Sequence, residues 1–313
     1  MTRPLLAVAC ALAGVTLAAQ TTRYVKPGAT GDGSSWSAAA GLHEALAEAR
    51  PGTRLWLAAG TYKTSASANR DASFVIPPGV TLLGGFRGTE TAAAERAPGT
   101  HRTILSGEIG AAERTDNAFT VLRLTDAPAG TLIDGVTVTG AFAGGAGPVG
   151  DPRRAGGGAL VNLSAPGATT APKFRDCVFV RNYARDGGAV YVDGAGGRAV
   201  PIFEACTFRS NEADLDGGAV YNDGRRRGEA SPTLRDCTFV GNEANYGAAV
   251  FNQATKGTAS PRLRSCRFRD NRAYVRGTTV YGIDHQGEAA AQLRDCVFED
   301  ESQVPGEELA RAN

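Results

Sequence analysis

Apolar and polar positions in the second half of the chain follow a unit that recurs every 29 to 31 residues. In each copy a cysteine precedes a phenylalanine by two positions; in the first four copies an asparagine follows three positions later and a glycine-led small pair comes next, whereas the fifth has Glu301 at the asparagine position. The three series are Cys177, Cys206, Cys237, Cys266 and Cys296; Phe179, Phe208, Phe239, Phe268 and Phe298; and Asn182, Asn211, Asn242 and Asn271. Because side chains alternate between the two faces of a strand, the Cys-x-Phe spacing predicts that both lie on one face.

A unit of this length cannot bury its own apolar face, but stacked copies can, since each strand pairs with its equivalent about 4.8 Å away. The repeat therefore predicts an all-β, right-handed parallel β-helix, with the handedness following from the crossover rule. We expect three short strands per coil, a coil being one complete turn of the solenoid. The β-helix is expected over residues 64–300, most clearly in 156–300, with internal cysteine, phenylalanine and asparagine ladders.

The ends of the chain have different patterns. Residues 1–19 have one arginine, a short apolar run and small residues, which is typical of a secretory signal peptide, so we expect a secreted protein, extracellular or periplasmic. The apolar run is too short to span a membrane. Residues 20–63 predict a strand, an amphipathic helix with Ser37 as its N-cap, and a further strand; the helix would cover the open end of the first coil. Residues 301–313 form a polar tail.

Composition narrows the function classes. Lysine plus arginine is 33 and aspartate plus glutamate is 32, so the overall charge gives no reason to expect nucleic acid or an acidic membrane as partner. An odd number of cysteines in one register favours a ladder of buried free thiols over disulfides or a zinc site, although oxidation of adjacent pairs stays open. The polar, acidic end of the chain predicts a monomer.

At this point the chain resembles a known group of proteins. The segments YVKPGATGDGSSW, AAGTYK, GGFRGTET, TILSGEIG and IDGVTVTG, with the C-x-F-x-x-N and GGAVY repeats, are similar to the right-handed β-helix repeat proteins of the pectate-lyase-like superfamily. The repeats also resemble those of polymorphic outer-membrane adhesins. The resemblance covers nearly all of residues 22–300 and implies the fold; this architecture carries lyases, hydrolases and adhesins, so it leaves function open.

In lyases of this superfamily, acidic residues on the outer face bind calcium and a nearby arginine or lysine removes a sugar proton. The position before each glycine-led pair forms one column of candidates, namely Asp186, Asp216, Tyr246 and Arg276. The resemblance implies that Asp186 and Asp216 share Ca²⁺, that Tyr246 stacks on a sugar and that Arg276 is the catalytic base. The alternative interpretation is a set of solvated turn residues, since aspartate before glycine is common in turns.

A second column lies two residues before each cysteine and reads Arg175, Glu204, Arg235, Arg264 and Arg294. It predicts a charged outer stripe that either contacts an acidic glycan or keeps the sheet soluble. The sequence contains no nucleophile elbow, H-E-x-x-H or phosphate loop. We therefore expect a non-enzymatic β-helix that binds a polysaccharide or cell-surface protein and requires no cofactor. The alternative is a calcium-assisted polysaccharide lyase or glycoside hydrolase acting along a shallow groove.

Overall fold

The structure is a computed structural model that describes residues 20–111, 113–277 and 279–299. Its strands stack as a parallel β-solenoid of about nine coils, in which each strand pairs with its equivalents in the coils before and after it. The predicted signal peptide at 1–19 and the polar tail at 301–313 lie outside the described residues. No helix of the described chain is long and apolar enough to cross a membrane.

Three long sheets form the walls of the solenoid in the described chain. Sheet 1 consists of Thr22–Val25, Arg54–Ala58, Thr81–Phe86, Leu132–Asp134, Lys173–Arg175, Ile202–Glu204, Thr233–Arg235, Arg262–Arg264 and Gln292–Arg294. Sheet 2 consists of Gly60–Lys63, Thr103–Ser106, Val136–Thr139, Val178–Val180, Thr207–Arg209, Thr238–Val240, Arg267–Arg269 and Val297–Glu299. Sheet 3 consists of Phe74–Val75, Leu122–Thr125, Ala159–Asn162, Val190–Asp193, Val220–Asp223, Val250–Thr255 and Val280–His285.

Two shorter sheets occupy corners between these walls. Sheet 4 consists of Phe142–Ala143, Tyr183–Asp186, Glu212–Asp216, Glu243–Tyr246 and Arg272–Arg276. Sheet 5 consists of Thr169–Thr170, Arg198–Ala199 and Glu229–Ala230. The expectation of three strands per coil was therefore too low for the regular coils. The bends take so few residues that the chain between them is extended and pairs as well.

Single residues in the left-handed region make the bends on both sides of sheet 2. The residue before each ladder cysteine has φ between 50° and 54°; these are Asp176, Ala205, Asp236, Ser265 and Asp295. The residue before each ladder asparagine also has positive φ; these are Arg181, Ser210, Gly241 and Asp270. One such residue redirects the chain, so the strands on either side of it keep their pairing with the neighbouring coils.

The phenylalanine ladder fills the centre of the solenoid. From Phe179 to Phe298, successive rings stack with centroids 4.7 to 5.2 Å apart and ring planes 5° to 10° apart. The ladder cysteines are free thiols; all but Cys296 are buried, and Cys296 is half-buried in the last described coil. Cys177 donates a hydrogen bond to the carbonyl oxygen of Arg175 at 3.3 Å, which satisfies the thiol without a metal or a disulfide.

The asparagine ladder satisfies the backbone at the corner between sheets 2 and 4. The side-chain amide of Asn211 donates to Phe179 O at 3.0 Å and to Asn242 Oδ1 at 3.0 Å. In turn, Asn211 Oδ1 accepts from the backbone and side-chain nitrogens of Asn182, both at 3.1 Å. Each asparagine thus joins neighbouring coils through bonds that are shielded from water.

One helix, Leu42–Glu48, lies between the first two strands of sheet 1. Its Leu42, Ala45 and Leu46 are buried and belong to the same apolar core as the solenoid walls. The prediction of Ser37 as N-cap was wrong, because the N-cap is Gly41 and it has no side-chain capping bond. The preceding residue, Ala40, is still in extended pairing with Val25, so the helix begins later than the apolar pattern indicated.

Candidate functional site

The candidate column before the glycine pairs lies along the sheet 3 side of sheet 4. Asp186 pairs in register with Asp216, Asp216 with Tyr246, and Tyr246 with Arg276. Arg276 is exposed. The structure therefore brings all four residues into one line across four coils.

Asp186 is neither a solvated turn residue nor an open carboxylate. It is only 2% exposed, and its Oδ2 accepts from Arg154 at 2.9 Å (Nε), with the Arg154 guanidinium nitrogen Nη2 at 2.7 Å. Arg154 comes from the glycine- and proline-rich loop 140–155, whose last residue, Ala155, bridges to the Asp186 strand. The loop folds back over the column, and its Arg154 forms an ion pair with the first carboxylate of the column.

Asp216 is half-buried one coil further along. Burial, and then the charge of Asp186, raise the pKa of Asp216 to about 7, while Arg154 acts in the opposite direction. A carboxyl group with such a pKa exchanges a proton near neutral pH. Within 20–111, 113–277 and 279–299, no group of three or more histidine, cysteine or acidic residues is arranged to hold a metal ion. A Ca²⁺ site at Asp186 and Asp216 stays a prediction.

An aromatic row closes the other side of the column. Tyr191, Tyr221 and Phe251 pack on the outer face of sheet 3 and are almost fully buried, with Tyr246 and Tyr281 against them. Tyr191 donates to Asp223 Oδ2 at 2.7 Å. Tyr246 thus packs partly into this row, 6.4 Å from the ring of Tyr281, instead of presenting a whole face to solvent.

A cleft of about 480 Å³ lies on the opposite side of sheet 4, next to sheet 2. We call it the sheet 4 cleft. It is lined by Glu108, Arg114, Asn117, Arg181, Tyr183 and Glu212, together with small and hydroxyl-bearing residues. Arg114 and Asn117 come from the irregular segment between sheets 2 and 3, and Tyr183 and Glu212 from adjacent strands of sheet 4.

Planar groups stack behind one wall of the sheet 4 cleft, where Tyr183 and Arg114 line the cleft and Phe142 supports Tyr183 without lining it. The rings of Phe142 and Tyr183 are 4.4 Å apart and inclined by 10°. The guanidinium carbon of Arg114 lies 4.9 Å from the Tyr183 ring centroid, and Arg114 donates to Glu212 at 2.7 Å. Burial, with the neighbouring charge of Asp214, raises the pKa of Tyr183, so its hydroxyl is protonated at neutral pH.

Asn117 contributes an acceptor without a partner. Its side chain lines the cleft, the residue is 3% exposed, and Oδ1 has no hydrogen bond within the protein. Buried acceptors are nearly always paired, and leaving one unpaired costs about 1–3 kcal/mol. Asn117 Oδ1 is therefore an unsatisfied acceptor in a residue that lines the cleft.

Sequence reasoning did not find the sheet 4 cleft. The position after each ladder asparagine holds Tyr183, Glu212, Glu243 and Arg272, which are successive partners in sheet 4. This column is visible in the repeat, so the sequence alone could have indicated Tyr183 and Glu212. Arg114 and Asn117 belong to a segment without a repeat, so no column identifies them.

The predicted charged stripe is in register on the outer face of sheet 1, from Arg175 through Glu204, Arg235 and Arg264 to Arg294. At its start Arg175 forms an ion pair with Asp134, a carboxylate that is fully buried and also bound by Arg96 at 2.8 Å. The beginning of the stripe is thus part of an internal ion-pair network.

Comparisons with known proteins support the fold. The structure is similar to a crystal structure of pectate lyase Pel9A, with a TM-score of 0.57 and 15% identity, covering 89% of this chain and 62% of that one. The chain therefore spans less than two thirds of that protein. A pectin methylesterase from Aspergillus niger matches with a TM-score of 0.38 and 11% identity over 90% of this chain and 86% of that one. No family model and no curated protein matches. The chain has a pectate-lyase-like parallel β-helix fold.

Proposed function

We propose that this protein binds a carbohydrate chain in the sheet 4 cleft. The observation that carries the proposal is the stacked Phe142–Tyr183 pair beside the unpaired, buried Asn117 oxygen. Ligand sites of this kind combine an apolar wall with a few fixed polar groups. The likeness in fold to a pectate lyase is consistent with a carbohydrate ligand.

The chemistry of the cleft suits a sugar. The Tyr183 ring lines the cleft and is held in place by the stacked Phe142 ring, and apolar surface removed from water contributes about 25 cal/mol per Å². We expect Asn117 Oδ1 to accept a hydrogen bond from a sugar hydroxyl group, while Arg114 offers donors and Glu212 acceptors at the edge. Arg114 and Glu212 are already paired, so they keep their positions when the ligand is absent.

Glycan-array screening followed by calorimetric titration tests the proposal. Phe142→Ala is expected to weaken binding about tenfold, which corresponds to about 1.4 kcal/mol. Val75→Ala, which removes an exposed apolar side chain on sheet 3, is the control and should bind as the native protein does. Retention of full affinity by Phe142→Ala, or no glycan bound at all, would contradict the proposal.

The alternative function is catalysis on a glycan, as a lyase or hydrolase. It is favoured by Asp216, because a pKa of about 7 near Asp186 and Arg154 is suited to proton transfer. Incubation with acidic polysaccharides, with and without Ca²⁺, would be read by absorbance of unsaturated product and by reducing ends. Activity that Asp216→Asn abolishes would establish this alternative over simple binding.

The proposal extends to the ends of the chain. We take residues 1–19 as an export signal and the solenoid as a right-handed, monomeric one.

The helix Leu42–Glu48 covers the first coil, since its apolar side chains join the core there. Leu46→Ala should then lower the free energy of unfolding by about 2–4 kcal/mol, whereas the exposed Glu48→Ala should change it by less than about 0.5 kcal/mol in urea titrations. Equal effects would contradict a capping role.

A further inference from the structure

The outer face of sheet 1 carries two rows of side chains in its last three described strands. One row is Arg235, Arg264 and Arg294, and the other is Thr233, Arg262 and Gln292. A groove of about 570 Å³ runs between the rows. We call it the arginine groove. Sheet 2 separates it from the sheet 4 cleft along the chain path of each coil.

Positive charge is concentrated here although the chain as a whole is balanced. Residues 262–276 contain six arginines, all exposed, and one acidic residue, Asp270. The six are Arg262, Arg264, Arg267, Arg269, Arg272 and Arg276. Neutral overall composition therefore conceals a strongly basic coil, which a summed charge does not reveal.

The two ends of the stripe on sheet 1 differ in how their charges are held. At the start, Asp134 is fully buried between Arg96 and Arg175, and Lys173 pairs with Glu204. At the other end, Arg235 lies 3.6 Å from Glu204 and Arg294 lies 3.5 Å from Asp295, with arginine side chains 54% and 74% exposed. Such exposed pairs contribute about 0–1 kcal/mol, so an external anion displaces them at little cost.

We propose that the arginine groove binds a linear anionic polysaccharide and attaches the protein to it. The arginines of one row come from paired strands about 4.8 Å apart, so their guanidinium groups can meet sulfate or carboxylate groups on successive sugars. Arginine is suited to this role because its planar fork donates two parallel hydrogen bonds to an oxyanion. The polymer lies along the solenoid axis, and the sheet 4 cleft stays accessible to a separate ligand.

The lining favours a polysaccharide over a single-stranded nucleic acid. Proteins that bind single strands combine basic grooves with aromatic side chains on which bases stack. None of the six positions in the two rows is aromatic. The groove therefore offers charge and hydrogen-bond donors without a stacking surface.

Retention on immobilised polymers tests the proposal. Heparin supplies sulfate, polygalacturonate supplies carboxylate, and single-stranded DNA supplies phosphate with bases. The protein should bind heparin or polygalacturonate at least tenfold more tightly than DNA, with affinity falling as salt rises. The triple variant Arg262→Gln, Arg264→Gln, Arg294→Gln should bind these polysaccharides at least tenfold more weakly. Binding to only one of the two polysaccharides identifies the oxyanion and supports the proposal.

Two further variants keep the test decisive. The triple change Arg87→Gln, Arg102→Gln, Arg226→Gln removes the same charge from exposed positions elsewhere and should alter affinity less than twofold. The triple variant Arg262→Lys, Arg264→Lys, Arg294→Lys keeps the charge but removes the planar fork, and its loss of affinity should be intermediate.

Three results would overturn the proposal. They are equal losses of affinity in the two triple glutamine variants, binding to DNA that is as tight as or tighter than binding to the polysaccharides, and no retention on either polysaccharide. Phe142→Ala should leave retention on these polymers unchanged, so failure of the sheet 4 cleft as a glycan site does not affect this result.

Discussion

At the scale of single residues, the corners of the solenoid depend on backbone conformations that few side chains adopt readily. Four of the five corner residues before the ladder cysteines are aspartate or serine, and the fifth is Ala205, with φ of 52°. Aspartate and asparagine tolerate this region better than alanine, whose Cβ crowds the following carbonyl. Ala205 is exposed, so little packing opposes a change there.

Ala205→Asn is therefore expected to raise the free energy of unfolding by about 0.5–1 kcal/mol. Ala205→Val is the matched control, because a β-branched side chain is strongly disfavoured at positive φ; it should lower that free energy by about 1–2 kcal/mol. Denaturant titration measures both. Equal stability of the two variants would show that this corner relaxes without strain.

The repeat allowed the inward-facing residues to be predicted but not the chemistry of the outer face. Cysteine, phenylalanine and asparagine recur because each touches its own copy in the next coil, so spacing alone locates them. Asp186 belongs to the same repeat, yet its ion pair with Arg154 depends on an irregular loop that no period describes. Asn117 was missed for the same reason.

At the scale of elements, the asparagine ladder joins the corners between sheets 2 and 4. Removal of one member affects two coils, because Asn211 donates to one neighbour and accepts from the other. The strands on either side of Asn211 are only three and five residues long. Their pairing therefore relies on corners that hold the register from coil to coil.

Asn211→Ala should lower the free energy of unfolding by about 1–3 kcal/mol, since it leaves buried polar groups of adjacent coils without partners. Asn242→Ala should behave alike because its bonds are equivalent. Asp214→Ala, an exposed change on the neighbouring strand, should cost less than about 0.5 kcal/mol. Thermal and urea unfolding compare the three; equal losses would show that the buried and exposed positions had been interchanged.

At the scale of the whole molecule, sheet 4 lies between the column from Asp186 to Arg276 and the sheet 4 cleft. Sheet 2 lies between that cleft and the arginine groove. The fold class was predictable because every regular coil repeats the same apolar pattern. The number of strands per coil was not, since corner residues with positive φ have varied identities: aspartate, alanine, serine, arginine and glycine. The sites that we propose lie where the repeat is interrupted or where charge accumulates on one coil, and neither feature follows from the period.

The stability of the whole protein should depend on pH through Asp216. Asp216 has a pKa of about 7 in the folded state, against 3.8 for an ordinary aspartate. Between these values the folded protein holds a proton that the unfolded chain releases, so the free energy of unfolding falls as pH rises from about 4 to about 7.

Asp216→Asn removes this contribution, because the amide keeps the shape of the carboxyl group and does not titrate. The variant should show a flatter stability profile between pH 5 and pH 8, and greater stability than the native protein at pH 8. Asp214→Asn, an exposed change on the same strand, should keep the native slope. Chemical denaturation at several pH values checks this: an unchanged slope in Asp216→Asn would mean that solvent reaches Asp216 more freely than its half-buried position beside Asp186 indicates.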